Sequence, residues 1–161
     1  SIAAVRLRVA PLVLDLCNQQ SITKGLQGKF SVYHGAAVGL VRGKGGLREY
    51  TDEAVNDPAI KRVRESTSAT GDPSITEDQA HIEVELIGGR RLSKFVEQSL
   101  GNIHRPLSDK QLEEKFRDQA ALVLPADEVE SVIQQCWTID QLDDVGELVR
   151  ATVPGGAAVA S

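Results

Sequence analysis

The chain has 161 residues and a mass of 17.3 kDa, with 41% hydrophobic and 25% charged residues, the size and balance of one globular domain with a real core. Its formal charge of −5 and pI near 5.2 argue against a general nucleic-acid binder, which needs a basic surface to displace counterions. No apolar run approaches the ~20 residues that cross a bilayer, and no signal-peptide pattern opens the chain.

Cys17 and Cys136 lack metal-ligand spacing and read as reduced, buried small hydrophobes of a cytoplasmic protein. Methionine is absent, and Ser1 leads directly into strand-like sequence. Together these features predict a piece of a longer polypeptide.

In AAVRLRVAPLVLDL (3–16), Val5, Leu7 and Val9 alternate with Arg6 and Arg8. Period two with one wet face predicts a strand, interrupted at Pro11. NQQSITKGLQG is a polar, glycine-containing loop. The spacing of Phe30, His34, Ala37, Val38 and Val41 fits a helical stripe over 30–42. GKGG (43–46) ends that helix with residues able to enter left-handed conformations. Two short helices follow, the first capped by Thr51 or Asp52, the second by Asp57 with Pro58 at its first position.

A strand is expected at 65–71, then the turn-rich loop GDPSITED. HIEVELIGGRRLSKFVEQSL (81–100) predicts a hairpin. Ile82, Val84 and Leu86 alternate with acids, Gly88-Gly89 makes a two-residue turn, and Leu92, Phe95 and Val96 return. Ser108 with Gln111 fits a capping box, opening a helix with Leu112, Phe116, Ala120 and Val123 on one face. A second helix starts at Pro125, with a stripe of Val129, Val132, Ile133 and Cys136. Thr138 with Gln141 caps a third, TIDQLDDVGELVRATV, and PGGAAVAS (154–161) reads as a flexible tail. Segregated strands and helices predict an α+β fold: a small, mainly antiparallel sheet with helices packed on one face, a two-layer sandwich.

Spacing alone yields no complete catalytic device, since HExxH, GxSxG, Walker and Rossmann patterns are all absent. The densest chemistry lies in GKFSVYH (28–34). His34 titrates near neutrality and can serve as general acid or base, or sit in the helix bonded to a neighbour. Lys29, Ser31 and Tyr33 surround the helix entrance, where free N–H groups favour a carboxylate, or they simply cap the helix. His81 reads as a surface or strand-pairing residue. His104 and Arg105, before Pro106, either contact an acid or brace a turn. EVE, EEK and DEVE read as solvated faces, and Trp137 as a core anchor.

KFSVYHGAAVGLVRGKGGLREYTDEAVNDPAIKRV, HIEVELIGGRR and GNIHRPLSDKQLEEKFRDQA, in that order and spacing, resemble the C-terminal domain of the MmgE/PrpD family. That family includes 2-methylcitrate dehydratase, cis-aconitate decarboxylase and an iminodisuccinate epimerase. The resemblance covers roughly 5–150, and its most specific elements are the Lys29-Phe30-Ser31 entry, Asn56–Pro58 and Arg105–Phe116. It implies a lid domain over 1–153 and a tail over 154–161. It also implies a larger N-terminal helical domain, outside this sequence, that supplies most catalytic groups.

The chemistry implied is proton removal beside a carboxylate of a small di- or tricarboxylate. Loss of water or carbon dioxide follows, or reprotonation on the other face, with no metal or organic cofactor. On this resemblance His34 is the catalytic candidate, and Lys29, Ser31, Tyr33, His104 and Arg105 are substrate-binding candidates. The expected partners are the polycarboxylate, the N-terminal helical domain and a second copy in a homodimer, with no nucleic acid and no membrane. The chain alone is expected to show no significant turnover, because one acid or base without oriented partners forfeits most of its positional advantage. The alternative is a free-standing, non-catalytic carboxylate-binding or dimerisation domain.

Overall fold

The computed structural model describes residues 2–155, so of the tail expected over 154–161 all but Pro154 and Gly155 lies outside the described residues. Strand β1 (Ile2–Val9) follows the alternation in its sequence: Val5, Leu7 and Val9 are buried, while Arg6 and Arg8 face solvent. It is an inner strand of a four-stranded sheet with β2 (Thr67–Gly71), β3 (Ala80–Leu86) and β4 (Arg91–Val96), in the order β2-β1-β3-β4. β2 runs parallel to β1, with Val5 opposite Thr67, whereas β3 is antiparallel, with Val5 opposite Val84. β4 returns antiparallel to β3, placing Leu92 opposite Val84. The fold is α+β, with antiparallel pairs predominating.

The strand stops before Pro11, where the sequence predicts its interruption, and the residues beyond it form helix α1 (Pro11–Cys17). Proline lacks the N–H that a strand ladder needs, and its fixed φ suits the first turn of a helix, so the chain turns into α1 after Ala10. Four more helices follow before β2: α2 (Gly25–Gly28), α3 (Val32–Arg42), α4 (Asp52–Asn56) and α5 (Pro58–Glu65), with a 3₁₀ turn at Leu47–Tyr50. Ser31, Thr51 and Asp57 cap α3, α4 and α5 through their side-chain oxygens. Gly43, at φ 72°, ends α3 in the left-handed conformation that a side chain would resist.

Ala37 and Val38 of α3 and Ile60 and Val63 of α5 pack on Val5, Leu7, Val9 and Val84 of the sheet. Each large aliphatic side chain buried here contributes about 2 kcal/mol. Phe30 and Val41, expected on the same α3 stripe, are instead exposed. The opposite face of the sheet is polar. Arg6 bonds Glu85 at 3.0 Å, Arg8 bonds Asp72 at 3.2 Å, and the His81 ring bonds Ser93 Oγ at 2.8 Å. His81 is thus the strand-pairing residue expected. The β3–β4 connection is one residue longer than the expected turn. The Leu86 amide donates to the Arg90 carbonyl at 2.8 Å, which leaves Ile87, Gly88 and Gly89 as the loop.

The chain divides into two compact units between Pro106 and Leu107. The second holds α6 (Asp109–Ala120), α7 (Ala126–Trp137) and α8 (Val145–Ala151). Ala120, Leu124, Val129, Val132 and Ile133 form its own core, with Phe116, Leu148 and Ala151 against it. The Ser108–Gln111 capping box opens α6 as the sequence predicts.

Three expectations fail in this unit. The helix expected from Thr138 is broken: a 3₁₀ turn spans Ile139–Gln141, Leu142 is extended, and Asp144 caps a new helix through Gly146 N at 2.8 Å. An aspartate competes well as a cap against continuing a helix through itself. Trp137 is 47% exposed, and its indole N–H donates to Glu113 Oε1 at 2.9 Å, so it is no core anchor. Cys136 is exposed because the buried stripe of α7 ends at Ile133; in the first unit, Cys17 is half-buried. Among the described residues no helix is long and apolar enough to cross a membrane, and no group of three His, Cys, Asp or Glu side chains could hold a metal ion.

Candidate functional site

The entrance of α3 is organised by its cap. The Ser31 hydroxyl accepts from the His34 amide at 3.2 Å, which starts the helix so that His34 closes the first turn and points inward. The ring is 0% exposed. Tyr50 meets it edge-on, with ring centroids 5.1 Å apart and an interplanar angle of 74°. Gly28 lies against its other side, where a Cβ would stand 3.1 Å from His34 Cδ2 and 2.9 Å from a methyl of Val55. The absence of a side chain at Gly28 is what gives the imidazole its room.

His34 Nε2 lies 2.8 Å from the Glu49 carbonyl oxygen. A carbonyl only accepts, so Nε2 carries the hydrogen and Nδ1 is the bare nitrogen. Nδ1 has no hydrogen-bond partner among the described residues. Burial holds the imidazole below its ordinary pKa of 6.5, the Glu49 carbonyl bond opposes this, and the charges of Arg64 and Arg42 add to the lowering. The ring is therefore neutral at pH 7, with its lone pair fixed in direction.

Glu49 is itself 2% exposed. Its carboxylate accepts from the Gly46 amide at 2.9 Å and stands 3.7 Å from Arg42, which also reaches Asp57 at 3.1 Å. Burial, joined by the charge of Glu49, pushes the Tyr50 phenol up.

Tyr33 points away from His34. Its hydroxyl donates to Asn18 Oδ1 at 2.6 Å and accepts from Gln20 Nε2 at 3.2 Å, forming one wall of a cleft of about 450 Å³. Lys29 is exposed just before the helix. The structure thus gathers Lys29, Ser31, Tyr33 and His34 around one turn but turns them in different directions. His104 and Arg105 lie elsewhere, exposed in a loop where both amides donate to Asn102 Oδ1 at 2.8 Å. They border a shallow groove of about 530 Å³ with Lys94 and Phe95.

Sequence reasoning missed Glu49 and Arg64, both buried charges. Arg64 was open to detection: it follows Ile60 by four positions, on the apolar stripe of α5. Glu49 gave no such signal, because LREY carries no periodicity.

The described residues thus form a small α+β domain whose capped α3 entrance encloses a buried, neutral histidine. The chain belongs to the MmgE/PrpD family: residues 1–139 match the MmgE/PrpD C-terminal domain, as the resemblance in its sequence implies. It is also 26% identical over 128 residues to a cis-aconitate decarboxylase of Mus musculus, a match that takes in 77% of this chain and 26% of that protein. The chain thus spans about a quarter of the length of this curated relative.

Proposed function

We propose that the chain is the C-terminal lid domain of a cytoplasmic MmgE/PrpD enzyme acting on a small di- or tricarboxylate, with a helical N-terminal domain and a second copy as partners. His34 Nδ1 takes the proton from the carbon beside a carboxylate, leaving a carbanion delocalised into that carboxylate. The electron pair then expels a β-hydroxyl as water, or is reprotonated on the other face. In the decarboxylase variant no proton is removed first: carbon dioxide leaves, the pair of the broken C–C bond stays on carbon, and that carbon takes a proton from an acid of the helical domain. Lys29 and the Ser31 entrance meet one carboxylate of the substrate; Tyr33, turned to the neighbouring cleft, and His104 and Arg105, in their separate loop, are proposed as contacts outside this turn. No cofactor is part of this proposal.

The observation that carries the reading is the fixed, neutral imidazole whose Nδ1 has no partner among the described residues. Likeness to a cis-aconitate decarboxylase supports a small polycarboxylate as the substrate class. A second reading, a non-catalytic domain in which His34 only ties α3 to the 47–50 turn, is favoured by the complete burial of the ring.

His34→Gln in the full-length enzyme separates the two, because glutamine keeps a donor for the Glu49 carbonyl but offers no base. A fall in kcat of about 10²–10⁴-fold with KM little changed is expected for a general base. A loss of only a few-fold would establish the tie and end the catalytic assignment.

A further inference from the structure

Arg64 is 5% exposed and carries a full charge into the first unit. One hydrogen bond holds its guanidinium, from Nη1 to the Val55 carbonyl at 2.8 Å, and its buried Nε has no partner among the described residues. The carboxylate whose charge acts on it, Glu65, is 63% exposed at its side chain and stands 3.8 Å from Lys61 instead. A guanidinium withdrawn from water loses much of its solvation. Proteins commonly restore it with a two-pronged carboxylate or phosphate contact. Among the described residues no carboxylate lies within ion-pair distance of Arg64.

Arg64 instead forms a wall of the cleft of about 450 Å³ that also has Lys61, Thr67, Gln20 and the Tyr33 ring on its sides. That volume suits a small molecule rather than a single water. Two cations and one carboxylate line it, a positive balance on a chain whose net charge is −5. Tyr33 and Gln20 are already tied to each other and to Asn18, so the wall is preformed.

We propose that this cleft binds a small, multiply charged oxyanion, a phosphate or a polycarboxylate, through Arg64 and Lys61. The site is separate from the unpartnered nitrogen of His34 and stands whether or not that residue is catalytic.

The test is amide chemical-shift titration of the 161-residue chain with inorganic phosphate and, separately, with citrate. Saturable shifts at residues 20–23, 33 and 61–67 are expected with at least one of them. Response to phosphate alone identifies a phosphate site, and response to citrate alone a polycarboxylate site. Arg64→Gln is expected to weaken binding about tenfold or more, as loss of a charge-assisted contact does. Should that variant fail to fold, Lys61→Ala, on an exposed side chain, is expected to weaken binding several-fold with the fold intact. Shifts confined to Lys29, Ser31 and His34, no saturable shift with either anion, or unchanged affinity in both variants would overturn the proposal.

Discussion

His34 and Glu49 close the entrance of α3 onto the 47–50 turn through a single bond: the imidazole Nε2 donates to the Glu49 carbonyl over 2.8 Å, and the carboxylate of the same glutamate turns back to the Gly46 amide. The bond needs a neutral or charged ring alike, but the surroundings favour the neutral one. In the unfolded chain the imidazole takes its proton near 6.5, and in the native state only at lower pH. Below about 6.5 the unfolded state therefore binds more protons, so stability falls as pH drops from there toward the lowered native value. Melting temperatures measured between pH 7.5 and 5 should decline more steeply for the native sequence than for His34→Gln. Parallel curves would show that His34 does not titrate abnormally.

Glu49 is the second half of that closure. Glu49→Ala leaves the Gly46 amide without its acceptor and Arg42 without one of two carboxylates. A loss of about 2–3 kcal/mol is expected from an unmet buried group, and about 1 kcal/mol for Glu49→Gln, which keeps an acceptor. Urea unfolding midpoints measure both, and equal losses would remove the carboxylate charge from the account.

Gly25 is a steric test of how closely α2 approaches the 50–51 segment. A Cβ there would fall 2.0 Å from the Tyr50 carbonyl oxygen and 2.9 Å from the Thr51 carbonyl carbon, both backbone atoms that cannot rotate away. Gly25→Ala should cost at least about 2 kcal/mol by forcing α2 off the 50–51 segment. Gly39→Ala, at a position with open space around it, should be neutral or stabilising in the same unfolding assay. A small effect at Gly25 would mean that the two segments are not in contact.

Ser31→Ala removes the cap that sets the direction of His34. Helix caps of this kind are worth about 1 kcal/mol. Ser31→Asp should restore much of that loss, because an aspartate accepts from the same amide and sits well at a helix N-terminus. Thermal unfolding of the two variants compares them directly, and an aspartate no better than alanine would argue against the cap.

Much of the fold was legible because local rules and tertiary packing agree. Val5, Leu7 and Val9 alternate with arginines and end buried in one layer, and Asp57-Pro58 and Ser108–Gln111 start helices where their chemistry says they should. The failures fall where one residue type serves two structures. Pro11 interrupts a strand on paper but opens α1, and Asp144 looks like one more acid of a helix face but caps a new helix. The candidate site was half legible. His34 stood out by its residue type and its place on the helical stripe, yet only the three-dimensional fold places the Glu49 carbonyl against Nε2 and leaves Nδ1 without a partner among the described residues. Arg64 and Glu49 carry ordinary surface letters, and their burial is a property of neighbours distant in sequence.

The position of β1 has a temporal side. Both its neighbours, β2 and β3, come long after it in the chain, with Val5 waiting for Thr67 on one edge and Val84 on the other. At about 5–20 residues per second of synthesis, that is several seconds in which the strand has two open edges. Pairings so distant in sequence also form slowly, because loop closure precedes any stabilising contact. Arg6 and Arg8 are then guards before they are surface: two charges within one short apolar strand keep it from joining a neighbouring nascent chain until its own partners arrive.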